Sequence, residues 1–168
     1  MINFDDNLEN IPEVIAGFRG TYRWLSNFWP VTVRLEDDPI TTYPSVEHAY
    51  QAAKTLNVDW RLEIAAQTTP GGAKRIGKHM PLRPGWDGMR VAVMRDLLRQ
   101  KFAAPADGRW EGTLALRLLQ THPAGLVEAN DWGDTFWGVC RGQGENQLGR
   151  LLAGIREELR QVYMGRAI

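Results

Sequence analysis

Tyr43-Pro44-Ser45-Val46-Glu47-His48-Ala49-Tyr50-Gln51-Ala52-Ala53-Lys54 reads as the end of a strand running into a helix. Pro44 disfavours helical backbone at the residue before it, so Tyr43 is extended, and Ser45 is of the type that caps a helix N-terminus, with Glu47 in the first turn. At 3.6 residues per turn, positions 47 and 54 point within roughly 20° of each other, with Tyr50 and Gln51 as the rungs between them. One stripe of this helix is therefore polar and ionisable. Ala49, Ala52 and Ala53 give the opposite side small residues that let other elements approach closely, which sets the helix against the rest of the fold. A buried polar stripe is costly unless it is paired or used.

Two effects compete at Glu47: the positive helix end favours its ionised form and burial favours the neutral one. The plainer alternative is an amphipathic helix with Glu47 and Lys54 in solvent, the ordinary state of an isolated Glu/Lys pair. Their spacing of seven weakens it, since direct ion pairs on a helix need three or four.

At 168 residues and 43% hydrophobic content the chain is large enough to bury a core without disulfides or a structural metal, most economically as one domain over 14–168 behind an acidic leader, residues 1–13. The leader holds Asp5, Asp6, Glu9 and Glu13 and no base; it lacks the features of a signal peptide, and no long apolar run follows. Cys140 is the only cysteine, which excludes an internal disulfide and suits a reducing cytoplasm. His48, His79 and His122 are scattered without zinc-site spacing, so no metal is expected. The formal charge of zero hides an uneven distribution: residues 71–101 carry eight bases against Asp87 and Asp96, a net of +6. Such a section could meet phosphates, of a nucleotide or of a nucleic-acid backbone, or be a set of solvated helix faces.

Outward from the helix, Val14–Phe18 reads as a short strand, and 31–35 with 40–43 as an antiparallel hairpin around the four-residue loop Glu36-Asp37-Asp38-Pro39. Helices are expected near 59–67, after Thr69-Pro70, over 87–102 with Val91, Met94, Leu97 and Leu98 inward, and over 112–120. The last begins near Asn146 and buries Leu148, Leu151, Leu152, Ile155 and Leu159. The fold class is α+β, a single helix-rich domain with a small antiparallel sheet.

Several stretches carry chemical meaning beside a plainer one. Gly72–His79 nearly spells a phosphate-binding P-loop, but His79 stands where a Ser or Thr must reach magnesium and no strand precedes it, so that reading is rejected. Lys74 and Lys78 could still meet a phosphate; a helix end with exposed bases is the alternative. Gly142–Gly149 opens the last helix, either as an anion-binding N-terminus or as a tight turn with a cap. Among seven tryptophans, Trp86, Trp132 and Trp137 stand in Gly/Asp-rich connections, suited to a pocket that stacks a planar base or to core packing. In Leu25-Ser26-Asn27-Phe28, Ser26 and Asn27 cannot both face inward from a regular strand, which leaves hydrogen bonding near the polar stripe or a strand-end turn.

Together these segments resemble the NADAR family from Phe18 to about Arg156. The likeness runs in order through Leu25–Phe28, Tyr43–Lys54, Ala73–Gly77, Trp86-Asp87, Val93-Met94, Lys101-Phe102, Leu126–Glu128, Asp134–Gly138 and Gly144–Gly149. The resemblance implies an α+β fold and hydrolysis of an N-glycosidic bond to ribose without a cofactor. Its substrates would be either ADP-ribose attached to guanine bases in nucleic acid or ribosylamino-pyrimidine phosphates of early riboflavin synthesis. Carried over by motif, Glu47 is the acid/base and Lys54 an amine able to capture the opened ribose as a Schiff base. Trp86 and Trp137 would line the pocket, with Asn27, Ser26, Tyr50, Glu128, Asp134 and Asn146 as further substrate contacts. Asp131-Trp132 offers a second register for the acidic loop; Asp134 and Trp137 carry the fuller Asp-x-x-Trp-Gly spacing.

The chemistry fits the residue types. Cleaving a C–N bond at an anomeric carbon needs a proton for the departing nitrogen, which a carboxyl group supplies, and relief of positive charge on the sugar, which a neutral amine gives by forming an imine. The rival expectations are a non-catalytic ADP-ribose or nucleotide-binding module using the same aromatic pocket, and a structural or interaction domain.

Overall fold

The structure is a computed structural model that describes residues 11–165. Most of the expected acidic leader, residues 1–10, lies outside the described residues. In chain order the elements are β1 (Val14–Ala16), a 3-10 turn (Gly20–Leu25), β2 (Pro30–Leu35), β3 (Asp38–Ser45), α1 (Val46–Ala53), α2 (Val58–Ala65) and α3 (Pro70–Gly77). They continue with α4 (Trp86–Lys101), α5 (Leu114–Leu119), β4 (Gly125–Val127), β5 (Ala129–Asn130), β6 (Val139–Cys140) and α6 (Gln147–Gly165). The fold is α+β and helix-rich. It divides into two compact units, Ser26–Lys101 and a second unit formed by the chain on either side of it.

In the Ser26–Lys101 unit the strand-to-helix junction is abrupt. Ser45 is extended at φ −160°, ψ 163°, and its hydroxyl accepts the His48 N–H at 3.3 Å, so the cap read from the sequence is present. His48 then ties α1 to the end of α2: its Nδ1 lies 2.8 Å from Ser45 Oγ and its Nε2 3.1 Å from the Gln67 carbonyl. All eight residues of α1 are buried, and the helix packs against α2, α3, α4, β2 and β3. The small side of Ala49, Ala52 and Ala53 permits that enclosure.

The hairpin differs from expectation in its turn. β3 begins at Asp38, so Leu35 pairs with Asp38 across Glu36-Asp37 where four loop residues were expected. Asp38 is held in the strand by accepting the Thr41 N–H at 3.3 Å and the Tyr43 hydroxyl at 3.0 Å, and Pro39 is tolerated because β3 pairs on one side only. Asp37 faces two cations, Arg61 Nη2 at 3.0 Å and Arg83 Nη1 at 2.9 Å. Burial alone would raise the Asp37 carboxyl, but hydrogen bonds and charge from Arg61, then Arg83, outweigh it and hold it below the ordinary range.

The second unit holds two sheets that the sequence reading lacks, both parallel: β1 with β4, and β5 with β6. The strand expected over 14–18 stops at Ala16, because Gly17 turns at φ +77° and donates its N–H to the Val127 carbonyl. α6 buries Leu148, Leu151, Leu152, Ile155 and Leu159, the expected stripe, and packs on β4. That approach requires Gly149, where a Cβ would lie 2.1 Å from the Leu126 carbonyl oxygen. No helix among the described residues is long and apolar enough to cross a membrane.

Candidate active site

Within the Ser26–Lys101 unit the structure gathers Ser26, Asn27, Glu47, Tyr50, Lys54 and Trp86 around α1. Glu47 is 7% exposed, so the solvated reading does not hold for it. Its N–H donates to the Asn27 carbonyl at 3.0 Å, which docks the preceding turn onto the first turn of the helix. Its Oε1 accepts Gln51 Nε2–H at 2.8 Å, one turn along the same stripe. The other amide atom of that side chain, Gln51 Oε1, is buried without a hydrogen-bond partner and abuts Gly77 of α3.

Lys54 follows the last turn of α1 in helical conformation, with its Nζ 5.4 Å from the centre of the Tyr50 ring. That ring stacks on Trp86 at 5.2 Å and 55°. Trp86, expected in a connection, is the first residue of α4 and is buried behind Gly85, which turns at φ +73°. Burial pulls the Lys54 amine below its ordinary pKa; the Glu47 charge opposes this, and the positive charges of Lys74 and Lys78 add to it. Burial outweighs the carboxylate, which leaves the Lys54 amine more readily neutral.

The turn at 26–29 has both characters offered for it. Ser26 Oγ accepts the Phe28 N–H at 3.2 Å, the strand-end turn reading. Asn27 is buried, with Nδ2 3.5 Å from Met94 Sδ and Oδ1 shielded from solvent without a hydrogen-bond partner. Lys101 holds this turn: its Nζ donates to the Ser26 carbonyl at 2.6 Å. Sequence reasoning passed over Lys101 as a site residue, although it continues the Met94, Leu97, Leu98 stripe at helical spacing. It is 4% exposed, and burial pushes its amine down to about 7.

Glu128, Asp134, Trp137 and Asn146 lie in the other unit and form a cluster of their own. Asp134 Oδ1 accepts the N–H groups of Phe136 at 3.1 Å and Trp137 at 2.9 Å, while Asn130 clasps the Asp134 backbone, Nδ2 to its carbonyl at 2.7 Å and its N–H to Oδ1 at 3.0 Å. Trp137 meets Phe136 edge to face at 5.0 Å, whereas Trp132 is 57% exposed. Asn146, at φ +52°, accepts the Glu128 N–H at 3.0 Å and donates to the Leu126 carbonyl at 2.8 Å. The anion site considered at the start of α6 is absent. The N–H groups of Glu145, Asn146, Gln147 and Leu148 all donate to carbonyls of Thr135, Gly138, Phe136 and Trp137, the turn-and-cap alternative.

A buried carboxylate and a depressed amine on one helix, beside stacked aromatic rings, form an arrangement suited to acid/base and imine chemistry on a polar substrate. Residues 17–160, from both units, match the NADAR domain. The chain belongs to the NADAR family. It is 39% identical over 155 residues to N-glycosidase YbiA of Escherichia coli (strain K12), covering 88% of this chain and 89% of that one. It is 34% identical over 141 residues to riboflavin biosynthesis protein VVA0006 of Vibrio vulnificus (strain YJ016), covering 82% of this chain and 36% of that protein. The NMR structure of E. coli YbiA matches with a TM-score of 0.74 at 35% identity, over 92% of this chain and 89% of that one. The family thus includes hydrolases of N-glycosyl bonds.

Proposed function

We propose that this protein is an N-glycosidase that hydrolyses the bond between ribose C1 and a nitrogen, with ADP-ribose attached to guanine bases of nucleic acid as its substrate. The carrying observation is the buried Glu47 in the first turn of α1 and the half-buried Lys54 at its C-terminal cap, beside the Tyr50 and Trp86 rings. The basic section at 71–101 favours a nucleic-acid-linked or pyrophosphate-bearing substrate, although Arg83, Arg90 and Arg99 already face acidic partners.

In this reading the protonated Glu47 carboxyl delivers a proton to the ribose ring oxygen as the C1–O bond opens, leaving C1 doubly bonded to the base nitrogen. Neutral Lys54 Nζ adds to C1. The base nitrogen then takes a proton from the Nζ that has added to C1 and leaves with the electron pair of its bond to C1, so that the opened sugar is held as a Lys54 imine. Water adds to C1, the Glu47 carboxylate accepts its proton, and the C1–Nζ bond breaks to return the amine and free sugar. The Tyr50–Trp86 stack offers a face to a planar base. Asn27 Oδ1, a buried acceptor without a protein donor, suits a ribose hydroxyl.

A second reading, hydrolysis of a ribosylamino-pyrimidine phosphate, is favoured by the likeness to the Vibrio riboflavin biosynthesis protein. Incubation of the purified protein with each substrate, followed by chromatography of released base and sugar, separates the two. Release from neither would leave the binding-module alternative. Borohydride added during turnover is expected to fix the sugar to Lys54; turnover without an adduct would remove the imine step alone.

A further inference from the structure

The last turn of α4 grips the segment on which α1 starts. Lys101 Nζ donates to the Ser26 carbonyl at 2.6 Å, and that carbonyl also accepts the Trp29 N–H at 3.0 Å, which closes the turn over 26–29. Gln100, the residue before Lys101, holds the strand that leaves this turn. Its Oε1 accepts the Arg34 N–H and its Nε2 donates to the Arg34 carbonyl, both at 2.9 Å. One turn of helix therefore fixes residues 26–34 at two points.

The gripped segment is the one that meets the N-terminus of α1. The first N–H groups of a helix have no partner inside it. Here the Glu47 N–H is taken by the Asn27 carbonyl at 3.0 Å and the His48 N–H by Ser45 Oγ at 3.3 Å. Pro30 pairs with Ser45 itself in the hairpin register. The Asn27 carbonyl is thus a second cap, supplied from outside the helix and bonded to the residue whose carboxyl group acts. The Asn27 side chain has its own tether to α4, with Nδ2 3.5 Å from Met94 Sδ.

An amine is a costly way to hold a turn. Lys101 is 4% exposed and extends the apolar stripe of Met94, Leu97 and Leu98, where a methionine would pack without the desolvation cost of an ammonium group. The local turn does not depend on it, since the Trp29 N–H on the Ser26 carbonyl and the Phe28 N–H on Ser26 Oγ already close the chain there. What the amine adds is a fixed distance between α4 and the Ser26–Asn27 turn.

We propose that Lys101 is a positioning residue for the reaction: through the Ser26 and Asn27 carbonyls it sets the first turn of α1, and with it the direction in which Glu47 presents its carboxyl group. The inference rests on the proposed glycosidase reading and deepens it. Lys101 acts at one remove and touches no reacting atom. Proton delivery needs the carboxyl group held within about 0.5 Å of its productive place, so a displaced first turn lowers kcat and leaves substrate binding nearly intact.

The test compares wild type with Lys101→Met, which removes the donor and fills its space, and with Lys101→Arg, which keeps a donor long enough for the carbonyl. In Lys101→Met, kcat should fall by about 10- to 100-fold with KM within about threefold of wild type, while stability to urea at neutral pH is equal or higher. Lys101→Arg should regain most of kcat. An unchanged kcat, a rise in KM alone, or a loss of activity that only follows a loss of stability overturns the proposal. Should Lys101→Met not fold, Lys101→Gln, too short to reach the Ser26 carbonyl, carries the same comparison. Amide exchange followed by NMR reads the link without turnover: the Glu47 N–H should exchange about 10-fold faster in Lys101→Met, with Ala52 further along α1 unchanged. Equal exchange at Glu47 overturns the link. If wild type turns over neither candidate substrate, the glycosidase reading fails, and the exchange rates still decide the link. A borohydride adduct on Lys101 would make it the reacting amine and overturn the positioning role.

Discussion

Gln51 Nε2 donates to Glu47 Oε1 at 2.8 Å, and the far side of that same amide rests on Gly77 of α3. The orientation of the carboxylate thus depends on how closely two helices meet. Gly77→Ala would place a methyl group 2.0 Å from Gln51 Oε1, so the side chain or the helix must move. Overpacking of this kind costs about 1–3 kcal/mol, readable by urea unfolding, and turnover should fall with it. Adding Gln51→Ala removes the clash, so the double variant should be more stable than the sum of the two single changes predicts.

Glu47→Gln keeps the size of the side chain and removes the proton donor. A fall in kcat of about 100- to 10,000-fold is expected with unchanged far-ultraviolet circular dichroism. Under the binding-module alternative, ligand affinity would persist and no turnover would exist to lose.

Lys54 should impose a rising limb on the pH–rate profile, since the imine step needs the neutral amine and burial lowers its pKa. Lys74 and Lys78 depress it further by like charge. Removing both with alanine raises the Lys54 pKa, so the limb should move to higher pH. Kinetics over a pH series in the double variant checks the sign; a shift to lower pH contradicts it.

Lys101 gives a stability signature. Its folded pKa, pushed down to about 7, lies below its unfolded value, so between the two the unfolded chain binds more protons. The cost of burying the ammonium is fully present below about 7 and declines as pH rises towards the unfolded pKa. Stability should therefore climb through that window by at most about 1.4 kcal/mol per pH unit. Lys101→Met should flatten the climb in urea titrations.

Asn146→Ala leaves the Glu128 N–H and the Leu126 carbonyl without their side-chain partner and puts a Cβ residue without an amide at φ +52°. A loss of about 2–4 kcal/mol is expected by thermal or chemical unfolding. A variant with unaltered stability and a raised KM would instead make Asn146 a substrate contact.

What the sequence made legible follows from how local each signal is. Ser45 as a cap and Pro70 at a first helical position announce their helices because each signal needs only its own first turn, and the α6 stripe is visible because helical spacing persists along it. The polar stripe of Glu47, Tyr50, Gln51 and Lys54 is legible in the same way. By contrast, Ile15 pairs with Leu126 across most of the chain, and β5 and β6 are two residues each, too short for any periodicity. The early start of β3 depends on Asp38 reaching Thr41 and Tyr43. Asn130 and Asn146 act as backbone clamps only because the chain around them turns as it does. Lys101 was within reach of the sequence, on the rungs of Met94 and Leu97, and is missed when a basic residue is assumed to face water.

The most direct measurement is the time course of base and sugar release from an ADP-ribosylated guanine oligonucleotide, run with wild type and with Glu47→Gln. The account predicts restored guanine and free ADP-ribose with wild type and a rate lower by at least about 100-fold in the variant. A bond left intact by wild type in this substrate and in the ribosylamino-pyrimidine phosphate, or equal rates for the two proteins, would contradict it.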